Sequence, residues 1–280
     1  MTGICGENVT WRLKGSVLTI SGAGKMFDGD DMTGSFSERE SIAQLVIEHG
    51  VTNVGNFLFS FCDNLKQVEM PDSVVEIGTS AFVFCGKLEE IKFSANVVTI
   101  GKSAFCGCWS LTRINLPEAL TAIGADAFRN CVGLRTIKIP ASVKEIGDKI
   151  FQGCERLEEV ELPVGVEKIG SKAFENCETL TEIKIPASVV EVGDDVFNNC
   201  VNLQKIYCAQ GCGFEKNLLA GNHAQIVPII DEPTPPAFTW QLDGDTLTVF
   251  SEDKLKRLSH DENAPWYDKR ESIKKIIIEL

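Results

Sequence analysis

Apolar residues recur along most of the chain at a fixed step of 23 residues. Four separate positions keep this step over seven copies: a glycine, a phenylalanine, a cysteine and a leucine. The glycine column runs from Gly55 to Gly193, and the other three columns begin at Phe59, Cys62 and Leu65. A period between about 20 and 50 residues is typical of solenoids, whose coils stack and bury a continuous core.

Each coil is predicted to contain two extended segments and one turn. Apolar Ile91 and Phe93 alternate with Glu90 and Lys92, which predicts a short strand with one buried face. Proline follows this strand in five copies and ends it, because proline cannot donate to a strand ladder. A second, weaker extended segment at 97–101 ends in a glycine turn. The step of three from phenylalanine to cysteine to leucine predicts one helical or 3-10 turn with all three side chains inside.

These columns define the residues that we expect to face the core. They are Phe82, Cys85, Leu88, Phe105, Cys108, Leu111, Phe128, Cys131, Leu134, Phe151, Cys154, Leu157, Phe174, Cys177 and Leu180. We expect the column cysteines to be buried thiols, because parallel Cβ vectors in adjacent coils do not suit a disulfide. Cys106 lies outside the column and is predicted on the surface. Cys208 and Cys212 could form a disulfide or stay reduced. A zinc site is not expected, because the sequence contains no Cys-x-x-Cys pair.

The ends of the chain depart from the repeat. Alternation on both sides of Lys14 and Gly15 predicts a β-hairpin, and Trp240 begins a similar segment that matches Trp11. The predicted boundaries are an N-terminal hairpin cap at 1–41, a solenoid of seven repeats plus a leading strand at 42–208, an irregular C-terminal cap at 209–230, a proline-rich linker at 231–237, and a truncated second copy of the N-terminal module at 238–280.

Two longer motifs carry a resemblance to a known family. Ile-Pro-Ala-Ser-Val recurs at 139–143 and 185–189, and Ile-Gly-x-x-Ala-Phe-x-x-Cys recurs at 77–85 and 169–177. On these motifs, residues 42–208 resemble BspA-like leucine-rich repeat proteins with 23-residue repeats. The resemblance implies a leucine-rich-repeat solenoid of short parallel strands. It also implies a surface protein of bacteria or protists that adheres to host matrix proteins, host cells or other microbes.

Charge narrows the classes of partner. The chain has 40 acidic and 27 basic residues, a net charge of −13, which argues against binding nucleic acid or an anionic membrane surface. No apolar run reaches the roughly 18 residues of a membrane span. The resemblance implies a cell-surface or secreted location, whereas the absence of a visible signal peptide leaves a cytoplasmic one open.

The outward face of the predicted strands is the candidate concave binding face. Its residues are Glu69, Glu90, Lys92, Arg113, Asn115, Lys138, Glu159, Glu161, Glu182, Lys184, Lys205 and Tyr207. The face could recognise a protein or a glycan, or it could simply be charge pairs that keep a parallel sheet solvated. We expect no catalytic residue, metal or cofactor: no nucleophile elbow or phosphate loop is present. The loop at 28–31 lacks the ligand pattern of a calcium-binding EF-hand and is predicted to be solvated.

The leading hypothesis is therefore a non-enzymatic recognition or adhesion module of a cell-surface protein that binds a host or microbial protein. The alternatives are an intracellular protein-interaction scaffold and a passive stalk. The apolar strand at 275–280 would have no coil to stack against, so we also expect weak self-association through residues 238–280.

Overall fold

The computed structural model describes residues 1–29, 36–209 and 213–229, and the backbone of three strands between residues 240 and 278. The chain divides into two units, Met1–Ile229 and Ile230–Leu280. The first unit is a solenoid of stacked parallel strands with little helix, which confirms the predicted fold class.

The solenoid begins with the predicted antiparallel hairpin. Strand β2 (Val9–Lys14) pairs with β1 (Thr2–Ile4) on one side and with β3 (Val17–Gly22) on the other. Gly15 occupies the two-residue hairpin loop with φ of 61°, a left-handed conformation that glycine adopts readily. Strand β3 then pairs in parallel with β4 (Gln44–Ile47), so the hairpin joins the first coil directly.

The coils contribute strands to two parallel ladders. The first ladder continues from β4 with β6 (Gln67–Glu69), β8 (Glu90–Lys92), β10 (Arg113–Ile114), β12 (Thr136–Lys138), β14 (Glu159–Glu161), β16 (Glu182–Lys184) and β18 (Lys205–Ala209). The second contains β5 (Asn53–Val54), β7 (Glu76–Ile77), β9 (Thr99–Ile100), β11 (Ala122–Ile123), β13 (Glu145–Ile146), β15 (Lys168–Ile169) and β17 (Glu191–Val192). Paired residues stand 23 apart, as Val68 and Ile91 do. Strand pairing is interrupted between β8 and β10 and between β14 and β16 in the first ladder, and between β11 and β13 in the second.

A stack of phenylalanine rings runs through the core. It contains one ring per coil from Phe59 to Phe197, and Phe36 adds an eighth ring exactly one period before Phe59. Neighbouring ring centroids lie 5.3–5.7 Å apart, with interplanar angles of 20° or less. Trp11 closes the stack edge-on to Phe36, with a centroid distance of 5.4 Å. The N-terminal module is therefore bound to the repeats through the same column as the coils.

The turn segment differs from the single helical or 3-10 turn that the spacing predicted. The amides of Ala81 and Val83 donate to carbonyls three residues earlier, whereas those of Ser80, Phe82 and Phe84 donate to carbonyls of the next coil. The backbone is left-handed at Ser80 and Phe84, where φ is 53° and 57°. The segment is thus a run of consecutive turns that also continues the hydrogen bonding between coils.

The seven column cysteines are buried and form no disulfide with one another, as predicted. Six of them donate the thiol hydrogen to the phenylalanine carbonyl of the preceding coil, at 3.0–3.3 Å; Cys131 to Phe105 is typical. Burial raises the pKa of Cys131 well above its ordinary value. Cys5 is also in the core, where burial raises its pKa to about 11. Cys212 lies outside the described residues, so a bridge to Cys208 stays a prediction.

The C-terminal end of the solenoid is more regular than the expected irregular cap. Strand β19 (Gln225–Ile229) pairs in parallel with β18, with Lys205 opposite Gln225. The step here is 20 residues, and the short helix α1 (Glu215–Leu219) replaces part of the turn segment. Besides α1, the described residues contain one 3-10 helix, Arg39–Ser41. No helix among the described residues is long and apolar enough to cross a bilayer.

The second unit repeats the strand pairing of the N-terminal module. Strands β20 (Trp240–Asp243) and β21 (Thr246–Val249) form an antiparallel pair, and β22 (Lys275–Ile278) pairs in parallel with β21. Leu247 stands opposite Ile276, as Leu18 stands opposite Leu45. The linker at 231–237 lies outside the described residues. Weak self-association through residues 238–280 stays a prediction.

The ring stack makes a stability prediction for a central coil. Phe128 is fully buried between Phe105 and Phe151, so Phe128→Ala should lower the free energy of unfolding by about 3–5 kcal/mol. Because each coil contacts only its neighbours, hydrogen-exchange protection should fall in both flanking coils. Val190→Ala, at a side chain that is 73% exposed, is the control and should change neither quantity. If Phe128→Ala left hydrogen-exchange protection in the two flanking coils unchanged, the idea that the coils share one ring stack would be contradicted.

Candidate binding surface

The first strand ladder presents the candidate residues on one side. In the three-residue strands the central residue is buried, as Ile91 and Ile137 are, or half-buried in the case of Val160, while the residues before and after it point outward. Asn115 directly follows β10, and the other eleven candidates lie within the strands. Ten of the twelve are exposed, and Glu69 and Tyr207 are half-buried. The twelve side chains therefore form one polar surface, called here the strand face.

Two cross-strand ion pairs lie on the strand face. Lys92 Nζ is 3.2 Å from Glu69 Oε1, and Lys138 Nζ is 2.8 Å from Glu161 Oε1. The hydrogen bond from Lys138 to Glu161 raises the pKa of that lysine. All four side chains are between 43% and 66% exposed, so water and salt screen their attraction and leave them available to a partner.

The middle of the strand face has two shallow depressions that meet at Arg113. One lies between β8 and β10, where the hydrogen-bonded ladder is interrupted, and it is lined by Glu90, Lys92, Arg113 and Asn115 among others. The second, over β10, β12 and β14, is bordered by Arg113, Asn115, Lys138 and the glutamates of β14. No described residue forms an ion pair with Arg113, so its guanidinium can donate to an acidic group on a partner.

The far end of the strand face lies on β16 and β18. Glu182 stands opposite Lys205, and Lys184 stands opposite Tyr207. The Tyr207 hydroxyl donates to Glu182 Oε2 at 3.4 Å, a long contact. This end combines one aromatic ring with charges of both signs, which is the kind of surface that can exchange internal contacts for contacts with a protein.

A largely polar column of buried and half-buried residues on the turn side was missed by sequence reasoning. It consists of the residues that follow each core phenylalanine: Ser60, Val83, Cys106, Arg129, Gln152, Glu175 and Asn198. Cys106 was predicted on the surface but is buried, because this position packs beneath the turns of the neighbouring coils. Burial raises the pKa of its thiol, while the charge of Arg129 partly offsets that effect. The sequence signal that could have revealed this column is the change from apolar to charged residues along it.

Glu175 is the best-connected member of this polar column. Asn198 Nδ2 donates to its Oε1 at 2.8 Å, Gln152 donates to its Oε2, and Lys172 Nζ lies 3.5 Å away. Burial alone would raise the pKa of Glu175, but the hydrogen bonds from Asn198 and Gln152 and the charge of Lys172 outweigh it and lower the pKa. These contacts join three successive coils, so the role of Glu175 is structural.

Comparison with known proteins agrees with this geometry. The family model described as the BspA type leucine rich repeat region matches six copies, over residues 33–158 and 144–220. The chain is 29% identical to a leucine rich cell surface protein from Faecalibacterium prausnitzii, with a TM-score of 0.57 over 74% of this chain and 54% of that protein. It thus spans about half of that protein's length. It is also 25% identical to a leucine rich repeat protein from T. pallidum, with a TM-score of 0.49 over 70% of this chain and 88% of that one. No curated protein matches the chain.

The lowered pKa of Glu175 predicts that the free energy of unfolding depends on pH in the acidic range. A carboxylate whose pKa is lowered by folding stabilises the protein above its unfolded pKa of about 4.3, and this contribution is lost as the pH falls through the folded pKa. Glu175→Gln should therefore be less stable than the parent at neutral pH, and the difference in unfolding free energy should shrink as the pH falls below about 4.

Urea unfolding at a series of pH values measures this difference, with the exposed Glu178→Gln as the matched control, for which we expect little change at any pH. A difference between Glu175→Gln and the parent that is constant with pH would show that the charge of Glu175 is irrelevant to stability.

Proposed function

Because the chain belongs to the BspA-type leucine-rich repeat family, we propose that it is a non-enzymatic recognition module whose strand face binds a host or microbial protein. The family supports a protein-interaction role in general, and the strand face supplies a site for it. The observation that carries the proposal is the row of mostly exposed and mostly charged side chains along the first strand ladder, with the Arg113 depressions near its centre.

The dimensions of the strand face suit a protein partner. Parallel strands lie about 4.8 Å apart, so the seven strands from β6 to β18 extend over roughly 30 Å. This length is comparable to that of a standard protein interface, which buries about 800 Å² on each partner. The side chains stand on backbone fixed by core packing, so binding would order few residues that are not already ordered.

The charges of the strand face favour a partner with both signs of charge. Its candidate residues include five lysines or arginines and five glutamates, distributed along the ladder instead of separated into two patches. Complementary charges on a partner would determine where along the strand face the partner binds and how fast it associates. They would affect the final affinity less. The strand face therefore has no strong excess of negative charge, although the chain as a whole is acidic.

The strand-face proposal predicts the effect of reversing three charges. The triple variant Lys138→Glu, Glu161→Lys and Lys184→Glu should weaken binding to an array of purified matrix proteins by roughly tenfold or more. Its fold should survive, because the exchange at 138 and 161 preserves an ion pair and all three side chains are exposed. Surface plasmon resonance against the bound array members, with thermal unfolding as the folding check, measures both effects.

The second ladder offers a matched control for this variant. Lys168 Nζ lies 3.2 Å from Glu191 Oε1 there, and Lys144 is exposed nearby. Lys144→Glu, Lys168→Glu and Glu191→Lys change the net charge by the same amount but leave the strand face intact, so binding should persist. If the strand-face triple variant binds as the parent does, the face is only a solvated sheet, and a passive stalk becomes the better description.

We propose a cell-surface or secreted location, which the F. prausnitzii cell surface protein supports. Intact cells that produce the protein should therefore expose it to a membrane-impermeant amine-reactive label. A cytoplasmic enzyme labelled only after lysis serves as the control. Labelling of this chain only after lysis would instead favour the intracellular interaction scaffold.

A further inference from the structure

Three aromatic side chains form a row on the turn side, outside the core. Phe61 and Phe84 stack with their ring centroids 5.2 Å apart, and Trp109 lies next to Phe84 at 6.4 Å with an interplanar angle of 50°. None of the three belongs to the continuous core or to the half-buried residues packed against it. Phe61, Phe84 and Trp109 are called here the aromatic patch.

Two rings of the aromatic patch, those of Trp109 and Phe84, lie directly on glycines. A Cβ atom on Gly86 would come within 2.5 Å of Trp109 Cε3, and one on Gly107 would come within 2.4 Å of Phe84 Cδ1. The absence of side chains at these two positions lets the rings lie against the backbone. Trp109 nevertheless remains 52% exposed, and Phe61 and Phe84 are half-buried. The indole is thus supported from below and available on its outer side.

Folding does not require phenylalanine at two of these positions. Phe61 and Phe84 have φ of 58° and 57°, in the left-handed region that bulky side chains rarely adopt. At the same register the later coils use residues that suit this conformation: Gly107, Asn130, Gly153, Asn176 and Asn199. The same left-handed φ occurs at Phe57, Lys149 and Lys172, so it is a regular feature of the turn segments. What sets Phe61 and Phe84 apart is a large ring at a position where the later coils have only glycine or asparagine.

The small area of the aromatic patch indicates the size of its ligand. A fully covered aromatic side chain buries about 150–250 Å², and two of these three rings are already half covered. The remaining area is far below the roughly 800 Å² per partner of a stable protein interface. The patch therefore fits one or two ring-sized groups rather than a protein surface.

The chemistry of the rings and their neighbours indicates the kind of ligand. An aromatic face carries partial negative charge and attracts the weakly positive C–H groups on one face of a saturated, uncharged ring. The polar groups Lys87 and Ser110 directly follow Gly86 and Trp109 in the chain, and Lys87 Nζ donates to Asn64 Oδ1 at 2.8 Å. Ser110 N–H donates to the carbonyl of Gly86, the glycine beneath the indole, so Lys87 and Ser110 both adjoin the backbone on which the indole lies. Donors on these two residues can bond sugar hydroxyls while the indole contacts the C–H face of the sugar. We propose that the aromatic patch binds the pyranose rings of a neutral glycan.

Oligosaccharide binding tests this proposal independently of the strand face. The probes are neutral hexasaccharides of glucose, mannose, galactose and N-acetylglucosamine, titrated calorimetrically against the full chain. At least one should bind, and Trp109→Ala should weaken that binding by roughly tenfold or more. The strand-face triple variant should bind the same hexasaccharide as the parent does, so failure of one proposal leaves the other standing.

Two further variants separate binding from folding. Phe84→Asn should weaken glycan binding without lowering the midpoint of thermal unfolding, because asparagine tolerates the left-handed backbone found there. Val201→Ala is the matched control: Val201 has the register position of Trp109 four coils later and is 62% exposed. It should bind normally. Binding by folded Trp109→Ala at parental affinity, no binding of any probe at millimolar concentration, or a strongly lowered unfolding midpoint for Phe84→Asn would each overturn the proposal.

Discussion

The solenoid depends on the stacking of one phenylalanine ring per coil. Ring centroids 5.3–5.7 Å apart are close to the spacing of about 4.8 Å between paired strands, so ring stack and strand ladders can share one repeat. Each ring from Phe59 to Phe174 is fully buried and contacts a ring on either side, which gives every interior coil the same two interfaces. A coil without its ring would leave a void between two neighbours, and no other column could fill it.

The turn segments follow from this stack. The phenylalanine side chain points into the core while its backbone is hydrogen-bonded to the next coil. Alternate amides of the turn segment make this possible, since one donates to a carbonyl three residues earlier and the next donates to a carbonyl of the neighbouring coil. The phenylalanine carbonyl then receives both the amide of the column cysteine in its own coil, as from Cys131 to Phe128, and the thiol of the cysteine in the next coil, as from Cys154 to Phe128. Cysteine suits the column because it is small enough for the core and still carries a donor.

The sequence predicts the inward columns well because burial repeats with the chain's own period. It predicts the turn geometry poorly, since apolar residues at every third position fit a helical turn and a run of β-turns equally well. Cys106 was misplaced because its column contains both apolar and charged residues, and only the neighbouring coils decide its burial. The strand-face residues could be located from alternation alone, whereas the break in the ladder beside Arg113 depends on pairing between strands. Phe36 could have been found by extending the period one step back.

The differences between coils are more informative about function than their common features. A passive spacer needs only the core columns and a solvated surface, and the later coils meet that description at the turn position, with Asn130, Asn176 and Asn199. The coil that begins at Phe105 departs from it twice, with an exposed Trp109 in the turn segment and an Arg113 that lies where the two depressions of the strand face meet. Neither departure improves packing, because Trp109 lies outside the core and Arg113 has no ion pair among the described residues. Features that a fold does not need, on a scaffold that holds them rigidly, are better explained by contacts with another molecule than by the stability of the rod.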